Sequence, residues 1–253
     1  GWRRGGDGID GTSLTPRDSL RVREKARAVR ATGLARLTVS LCGIDEASFR
    51  DMNDVGCPVE TVLAGIEHAE AARLAPIKIN MVVQKGVNDG DILPMAGHFR
   101  GTAHIVRFIE YMDVGNSNGW RLDQVIPSRD VVDRINARWP IEPLAPNYRG
   151  EVAERYRYRD GAGEVGLISS VTQPFCGTCQ RARLSAEGQL FTCLFASHGH
   201  DLRERLRRGD SDAALHEALT TVWSQRDDRY SELRTAGEQP IDSRRIEMSY
   251  IGG

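Results

Sequence analysis

The feature that most constrains the fold is the alternation, in the first half of the chain, of short apolar runs with longer amphipathic stretches. Residues 37–41, 76–83 and 105–112 are rich in apolar and β-branched residues, which is typical of buried strands. Residues 59–73 carry apolar side chains at helical spacing between the first two runs. Strands separated by helices, over distances too long for hairpins, predict parallel βαβ units in an open sheet or barrel.

The pattern changes in the middle of the chain. Pro140, Pro143 and Pro146 predict a linker, and residues 155–171 then contain two β-rich runs. We therefore predict an α/β domain followed by a smaller α+β domain. Their predicted bounds are residues 1–140 and 141–253.

Three cysteines have the spacing of metal ligands. Cys176 and Cys179 form a C-x-x-C pair, and Cys193 follows fourteen residues later. A hairpin turning at Glu187–Gly188 would return Cys193 towards the pair. Thiolates select zinc or an iron–sulfur cluster. Having three cysteines rather than four means that another group completes the site, or that one metal position is open.

Nearby residues leave both alternatives open. His198 and His200 follow Cys193 closely and could complete a zinc site with three cysteines and one histidine. Arg181 and Arg183 lie in the same loop as the C-x-x-C pair and suggest an anion beside the metal.

Composition indicates an ordinary globular protein and excludes several classes. The chain of 253 residues is 40% hydrophobic and 27% charged with a net charge of −1, so no global charge bias indicates nucleic acid or an anionic membrane as a partner. No apolar run is long enough to span a bilayer. An odd number of cysteines, 5, argues against a secreted disulfide framework and favours the cytoplasm.

Charged residues interrupt two of the predicted strands. Lys78 lies between Ile77 and Ile79, so its side chain either points to solvent or reaches an anion. Arg107 and Glu110 are three residues apart in the next strand and must point to opposite faces of the sheet. Because functional groups gather at the carboxyl ends of parallel strands, Lys78, Arg107 and the following Met112 are candidate site residues.

These residues, taken together with several longer runs, resemble the GTP 3',8-cyclase family of radical S-adenosylmethionine enzymes. The matching motifs cover the chain from about residue 14 onward. They are residues 38–41, 51–53, 78–89, 107–115, 176–183 with Cys193, and the C-terminal run 248–253 that ends in two glycines.

The resemblance implies a partial (β/α) barrel of the radical S-adenosylmethionine class, followed by a C-terminal domain with a second [4Fe–4S] cluster. Cys176, Cys179 and Cys193 would ligate that cluster, whose fourth iron is left open for the guanine of GTP. The resemblance also implies GTP contacts from Arg181, Ala182, Arg183, Lys78 and Arg107.

The resemblance assigns further roles as well. Ser40 and Met112 would contact S-adenosylmethionine, and Gly252 and Gly253 would reach into the active site and support the radical chemistry. His198 and His200 would then be surface or structural residues. Cys42 and Cys57 match no ligand position, and we interpret both as packing residues or as chance occurrences.

The implied reaction is the cyclisation of GTP to 3',8-cyclo-7,8-dihydro-GTP, in which a 5'-deoxyadenosyl radical abstracts the 3' hydrogen and the resulting C3' radical attacks C8. The resemblance also implies a homodimer that passes its product to cyclic pyranopterin monophosphate synthase in molybdenum cofactor biosynthesis.

The family's first cluster needs a C-x-x-x-C-x-x-C run, and its methionine-binding strand ends in Gly-Gly-Glu-Pro; the 253 residues contain neither. We expect both to lie upstream of Gly1 in a longer protein that carries two clusters, one of them in this chain. We therefore expect the chain alone to be inactive. The alternatives are a GTP-binding [4Fe–4S] module without turnover and a zinc-stabilised binding module.

Overall fold

The structure is a computed structural model, and it describes residues 11–14, 26–27, 30–31, 33, 36–53, 56–116, 118–235, 245–248 and 250–251. The sequence predicts a helix at residues 21–32 that ends at Gly33; this stretch is described only at residues 26–27 and 30–31, which are helical. Gly33 follows with a φ of 92°, a conformation that suits the predicted glycine stop. Gly252 and Gly253 lie outside the described residues.

The chain divides into two compact units, the first of which comprises residues 1–111 and 123–169. Its strands are β1 (Gly11–Leu14), β2 (Arg36–Ser40), β3 (Ile77–Val83), β4 (Ile105–Glu110), β5 (Ile141–Leu144), β6 (Glu154–Tyr158) and β7 (Glu164–Ile168). Its helices are α1 (Glu46–Met52), α2 (Val59–Ala71), α3 (Ile92–Phe99) and α4 (Ser128–Arg138).

The seven strands form one sheet in the order β1-β2-β3-β4-β7-β6-β5. The first four strands and β7 are parallel, whereas β6 and β5 are antiparallel additions at one edge. The predicted α/β class and the predicted parallel pairing of β2, β3 and β4 are therefore confirmed.

One face of the sheet carries the hydrophobic core. In β3 and β4, buried and half-buried residues alternate, as the period of two in a strand requires. Ile77, Ile79 and Met81 are fully buried in a cluster that also includes side chains of α2 and α3. Glu110 belongs to this buried face, and its carboxylate accepts a hydrogen bond of 2.8 Å from the backbone N–H of Ser128 at the start of α4.

The division of the chain differs from the predicted boundary near residue 140. The three strands that follow this position, β5 to β7, belong to the first unit because β7 pairs with β4 and continues the sheet. Pro143 lies within β5, which is the outermost strand, where a missing N–H disrupts no central ladder. The prolines interpreted as a linker therefore flank and enter an edge strand.

The second unit comprises residues 112–122 and 170–253. Its elements are β8 (Arg183–Leu184), β9 (Gln189–Phe191), β10 (His200–Asp201), α5 (Leu202–Arg207), α6 (Asp212–Ser224) and α7 (Tyr230–Thr235). Strands β8 and β9 form the predicted antiparallel hairpin, and β10 pairs with the other side of β9. Within the described ranges of both units, no helix combines the length and the apolar character needed to cross a bilayer.

A buried charged network joins distant segments of the second unit. The Asp113 carboxylate accepts hydrogen bonds from Arg234 and from the Tyr230 hydroxyl, the latter at 2.5 Å, and pairs with Arg245 at 2.9 Å. The Arg234 guanidinium lies 5.5 Å from the ring centre of Trp120 and donates to a backbone carbonyl at 2.8 Å. This network fixes α7 and the segment near Arg245 to the stretch that contains Asp113.

Candidate functional site

The segment that carries the three cysteines, residues 176–193, is called the cysteine loop. It begins with a single 3₁₀ turn, Cys176–Thr178. The backbone N–H of Cys179 donates to the carbonyl of Cys176 at 3.2 Å, and this turn brings the two cysteines of the C-x-x-C pair onto adjacent positions of one loop. The β8–β9 hairpin then leads to Cys193. All three cysteines are free thiols and half-buried.

The thiol of Cys179 is surrounded by donors. Burial raises the pKa of Cys179, but N–H groups of Arg181 and then of Arg226 counter this effect, and the net result is a lowered pKa. The Nε of Arg181 lies 3.4 Å from the Cys179 sulfur. These donors favour the thiolate, which is the form that ligates metals.

The third thiol is more deeply enclosed. Burial raises the pKa of Cys193, although the backbone N–H of Phe195 donates to its sulfur at 3.4 Å and acts in the opposite direction. The charges of Asp228 and Cys176 add to the rise in the pKa of Cys193.

The donor set fits an iron–sulfur cluster. Among the residues that the structure describes, no three His, Cys, Asp or Glu side chains are arranged to hold one metal ion. A [4Fe–4S] cluster makes a different demand, because its thiolates ligate separate irons at the outside of the cluster. Three half-buried thiols, two of which accept an N–H group at the sulfur, match the chemistry of such a cluster.

Arginines accompany the thiols. The Arg181 guanidinium is exposed and lies 4.9 Å from the ring centre of Phe175. Arg183 is half-buried in β8; burial and then Arg181 lower its pKa, and the sulfurs of Cys193 and Cys179 oppose that shift. Ala182 between them is exposed. The loop thus holds two guanidiniums beside the cysteine triad, one accessible and one partly desolvated.

In the first unit, the sheet face opposite the core carries the polar candidates. The strand register pairs Ser40 with Asn80 and Asn80 with Arg107 across three adjacent strands. Lys78 lies two residues before Asn80 and therefore on the same face. These four half-buried residues share one surface of the sheet, and Asn80 had not been predicted as part of it.

Arg107 is held in place by two neighbours. Its Nε donates to the Asn80 side-chain oxygen at 2.8 Å, and β7 presents Gly166 as the register partner of Arg107. A Cβ at Gly166 would lie 3.1 Å from the Cγ of Arg107. Burial lowers the pKa of the Arg107 guanidinium, and Tyr148 and Glu151 act in the opposite direction. A partly desolvated cation bonded to a neutral amide is suited to receiving an anion.

The argument from strand ends does not hold for Lys78. It is the second residue of β3 and therefore lies near the amino end of that strand. Arg107 occupies the middle of β4, and Met112 follows the carboxyl end of this strand. What Lys78 and Arg107 share is a face rather than an edge of the sheet. Glu110 points to the opposite face from Arg107, as predicted.

The two residues predicted to contact S-adenosylmethionine belong to different units. Ser40 is the last residue of β2 in the first unit, at the carboxyl edge of the parallel sheet. Met112 is the first residue of the second unit and is half-buried. Its carbonyl accepts a hydrogen bond of 2.8 Å from the Asn118 side chain.

The segment before the two terminal glycines is anchored within the second unit. The Glu247 carboxylate accepts from the backbone N–H of Asn116 at 3.0 Å, and the Asn116 side chain bonds the backbone of Arg245. The Tyr250 hydroxyl donates to Glu187 at 2.5 Å, and the neighbouring Ile251 is buried. The described residues of this segment, 245–248 and 250–251, are therefore anchored within the second unit.

The remaining candidates lie elsewhere. His198 bonds the hydroxyl of Ser197 at 2.9 Å, and His200 is exposed in β10. Cys42 and Cys57 are buried in the first unit, which agrees with their interpretation as packing residues. Burial raises the pKa of Cys42.

Two contacts with the cysteine loop carried no sequence signal. The Arg226 side chain donates to the carbonyl of Cys179 at 2.6 Å, and Glu232 accepts from the backbone N–H of Gly177 at 3.2 Å. Both residues are about fifty positions from the loop, and neither belongs to a recognisable motif.

Comparison with known proteins first gives the class. Residues 104–232 match the family model described as Molybdenum Cofactor Synthesis C, which covers about half of the chain and includes all three cysteines of the loop. The chain therefore belongs to the molybdenum cofactor synthesis class of proteins.

Curated relatives then define the family. The chain is 51% identical to the GTP 3',8-cyclase of Acidothermus cellulolyticus, over 95% of this chain and 73% of the relative. It is 45% identical to that of Synechococcus, covering 97% and 72%, and 41% identical to that of Staphylococcus saprophyticus, covering 98% and 73%. The chain belongs to the GTP 3',8-cyclase family.

Proposed function

We propose that the chain binds GTP and one [4Fe–4S] cluster for the radical S-adenosylmethionine reaction that converts GTP to 3',8-cyclo-7,8-dihydro-GTP. The observation that carries this proposal is the triad of half-buried thiols with arginines directly beside it. When bound, the cluster supplies an open iron that anchors the guanine, and S-adenosylmethionine supplies the radical that removes the 3' hydrogen.

The residues of the loop would bind and orient the nucleotide. Arg181 presents an accessible planar guanidinium to the purine edge or a phosphate, and Arg183 supplies a partly desolvated charge that interacts with Cys193 and Cys179. Ala182 leaves space between them. Because the reacting C3' and C8 atoms belong to one molecule, the main task of these side chains is to hold GTP in a reactive geometry.

The polar face of the sheet would bind the charged groups of the substrates. Lys78 and Arg107 lie on adjacent strands of that face and would neutralise the triphosphate. Ser40 on the same face and Met112 would contact S-adenosylmethionine. The burial of Arg107 supports an anionic ligand, since a bound phosphate would compensate a charge that is now desolvated.

A second candidate function follows from the cysteines that these 253 residues contain. They stand at positions 42, 57, 176, 179 and 193 and include no C-x-x-x-C-x-x-C run. A preparation of these residues alone would therefore bind GTP at its cluster without turning it over. A zinc-stabilised binding module is the third alternative.

Anaerobic reconstitution with iron and sulfide tests the proposal. We expect one oxygen-sensitive cluster per chain, with the brown absorption of a [4Fe–4S] centre, and GTP binding that depends on the cluster. A colourless protein with tightly bound zinc would overturn the proposal in favour of the zinc module. Adding S-adenosylmethionine and a reductant separates the other two, because only a complete enzyme forms the cyclised nucleotide.

The terminal glycines have a separate test. Tyr250 and Ile251 are anchored just before these glycines, and glycine is the residue that can pass closest to a bound nucleotide. We expect deletion of both glycines from the complete enzyme to abolish cyclisation, with cluster content and thermal stability unchanged. Full turnover by the shortened enzyme would refute this role, and a large loss of stability would show that the tail is structural.

The assembly and the next step of the pathway are further parts of the proposal. A homodimer and transfer of the product to cyclic pyranopterin monophosphate synthase are what the family resemblance supports. Sedimentation of the reconstituted protein, with and without GTP, would show whether it dimerises.

A further inference from the structure

The segment from Arg226 to Glu232 contacts both parts of the cysteine loop. Arg226 donates to the carbonyl of Cys179 at the end of the C-x-x-C turn, and Glu232 accepts from the N–H of Gly177 in its middle. This turn is therefore held at two points by residues that belong to neither cysteine motif.

The same segment also reaches the part of the loop that carries the third cysteine. The ring of Tyr230 stacks on Phe195, with ring centres 4.4 Å apart and an angle of 24° between the planes. Phe195 lies two residues after Cys193 and donates its backbone N–H to the Cys193 sulfur. Residues 226–232 thus contact both cysteine-bearing stretches through protein groups alone.

Arg226 is the most constrained member of this segment. Its side chain is only 10% exposed, and its Nε pairs with Asp228 at 2.9 Å. Its guanidinium lies 5.0 Å from the ring centre of Trp223, and its NH1 donates to the Cys179 carbonyl at 2.6 Å. These contacts on three sides fix the orientation of the planar guanidinium. Its hydrogen bond then fixes the orientation of the Cys179 carbonyl.

The positive charge of Arg226 also acts on the sulfurs. The guanidinium interacts electrostatically with Cys179 and with Cys193. Hydrogen bonds to ligand sulfurs and the net charge around a cluster both set its reduction potential. A nearby cation favours the reduced cluster, which carries one more negative charge than the oxidised cluster.

We propose that Arg226 is a positioning residue of the iron–sulfur site, which holds Cys179 in its ligating orientation and raises the reduction potential of the cluster. This inference rests on the proposed function, since it requires that the three thiols hold a cluster. Arg226 acts through Cys179 and need not touch GTP.

Two substitutions separate geometry from charge. Arg226→Gln keeps hydrogen-bond donors but loses the charge, and Arg226→Lys keeps the charge. The control is Arg208→Gln, because Arg208 makes a similar local pair with Asp210 at 2.6 Å in the same unit. Each variant of the 253-residue chain is reconstituted anaerobically and titrated with a reductant while its electron paramagnetic resonance signal is followed.

We expect Arg226→Gln to shift the reduction equilibrium about tenfold towards the oxidised cluster, which corresponds to a midpoint potential about 59 mV more negative. We expect Arg226→Lys to recover most of that shift and Arg208→Gln to cause none. Circular dichroism of the iron-free proteins should show the same secondary structure in all variants.

An unchanged midpoint potential and full iron content in Arg226→Gln would overturn the inference. If Arg226→Gln loses the cluster altogether, retention of the cluster by Arg226→Lys supports the inference, and equal loss in both variants overturns it. Failure of the unsubstituted chain to bind a cluster would instead refute the proposed function on which the inference depends.

Discussion

The two units of this chain are stabilised by different interactions. The hydrophobic cluster of buried side chains, from Ala26 to Leu167 in β7, lies entirely in the first unit. The buried apolar residues described in the second unit are few, namely Val171, Phe191, Phe195 and Ile251. The second unit instead buries a charged pair, Asp113 and Arg234.

This difference predicts different responses to the same treatment. A large apolar core stabilises a sheet regardless of ligands, because burial of apolar surface is its main source of free energy. A small unit with little apolar core often needs a metal centre, and the free energy of metal binding then becomes folding free energy. We therefore expect the second unit, but not the first, to depend on its cluster.

The largest expected effect is that of removing a cluster ligand. We expect Cys176→Ala to abolish cluster binding and to reduce hydrogen-exchange protection throughout the second unit, by at least about 100-fold, since metal binding contributes several kcal/mol. Protection of β2 to β4 should stay unchanged. Cys57→Ala is the matched control because it removes a buried thiol from the first unit and should leave iron content intact. Equal loss of protection in both units would break the comparison.

The next effect concerns the buried carboxylate. We expect Asp113→Ala to destabilise the second unit by about 3–5 kcal/mol, because it leaves the buried Arg234 charge without its partner. Asp160→Ala removes the partner of Arg100, but Asp160 is 52% exposed, so we expect a cost of about 1 kcal/mol or less. Urea denaturation measures both, and similar costs would contradict a special role for the buried network.

The arginines of the cysteine loop should affect binding rather than stability. We expect Arg181→Ala and Arg183→Ala each to weaken GTP binding by about 10–100-fold, the cost of a lost charge-assisted contact of about 1.5–3 kcal/mol. Isothermal titration on the reconstituted protein measures this. Arg203→Ala, an exposed arginine of α5, should keep full affinity. Unchanged affinity in either loop variant would remove that arginine from the site.

The smallest expected effect tests the anchor of the C-terminal segment. Gly115 and Gly119 have φ values of 66° and 60°, so alanine at either costs about 1–2 kcal/mol in backbone strain. A Cβ at Gly115 would also collide with the Glu247 carboxylate, whereas nothing lies within 4 Å of one at Gly119. Gly115→Ala should therefore cost more, and adding Glu247→Ala should remove the excess. Equal stability costs for Gly115→Ala and Gly119→Ala would show that Glu247 is not packed tightly against Gly115.

Much of the first unit could be predicted because its strands carry a strong local signal. The apolar alternation in β3 and β4 follows directly from a sheet with one buried face. Helix α4 was missed because it is polar and short of apolar residues, and its start is fixed by a carboxylate from a different element, Glu110. Such a remote cap leaves no trace in the local sequence.

Some residues of the candidate site also have a local sequence signal, and others have none. The three cysteines could be proposed as ligands because ligand spacing is local in sequence, and the β8–β9 hairpin that precedes Cys193 was predicted from a Gly-containing turn. Arg226 and Glu232 could not be predicted, since their contacts with the loop span 47 and 55 residues. Asn80 did have a signal, because it lies two residues from Lys78 on the same strand.

The lack of a side chain at Gly166 affects how far Arg107 extends in the proposed phosphate site. Gly166 leaves the space along which the aliphatic part of Arg107 lies, and a methyl group there would stand 3.1 Å from its Cγ and 3.4 Å from the Cβ of Ala153. Strand β7 therefore sets how far the Arg107 guanidinium extends. A larger side chain at position 166 would shift the Arg107 guanidinium relative to the proposed phosphate without altering any charged residue.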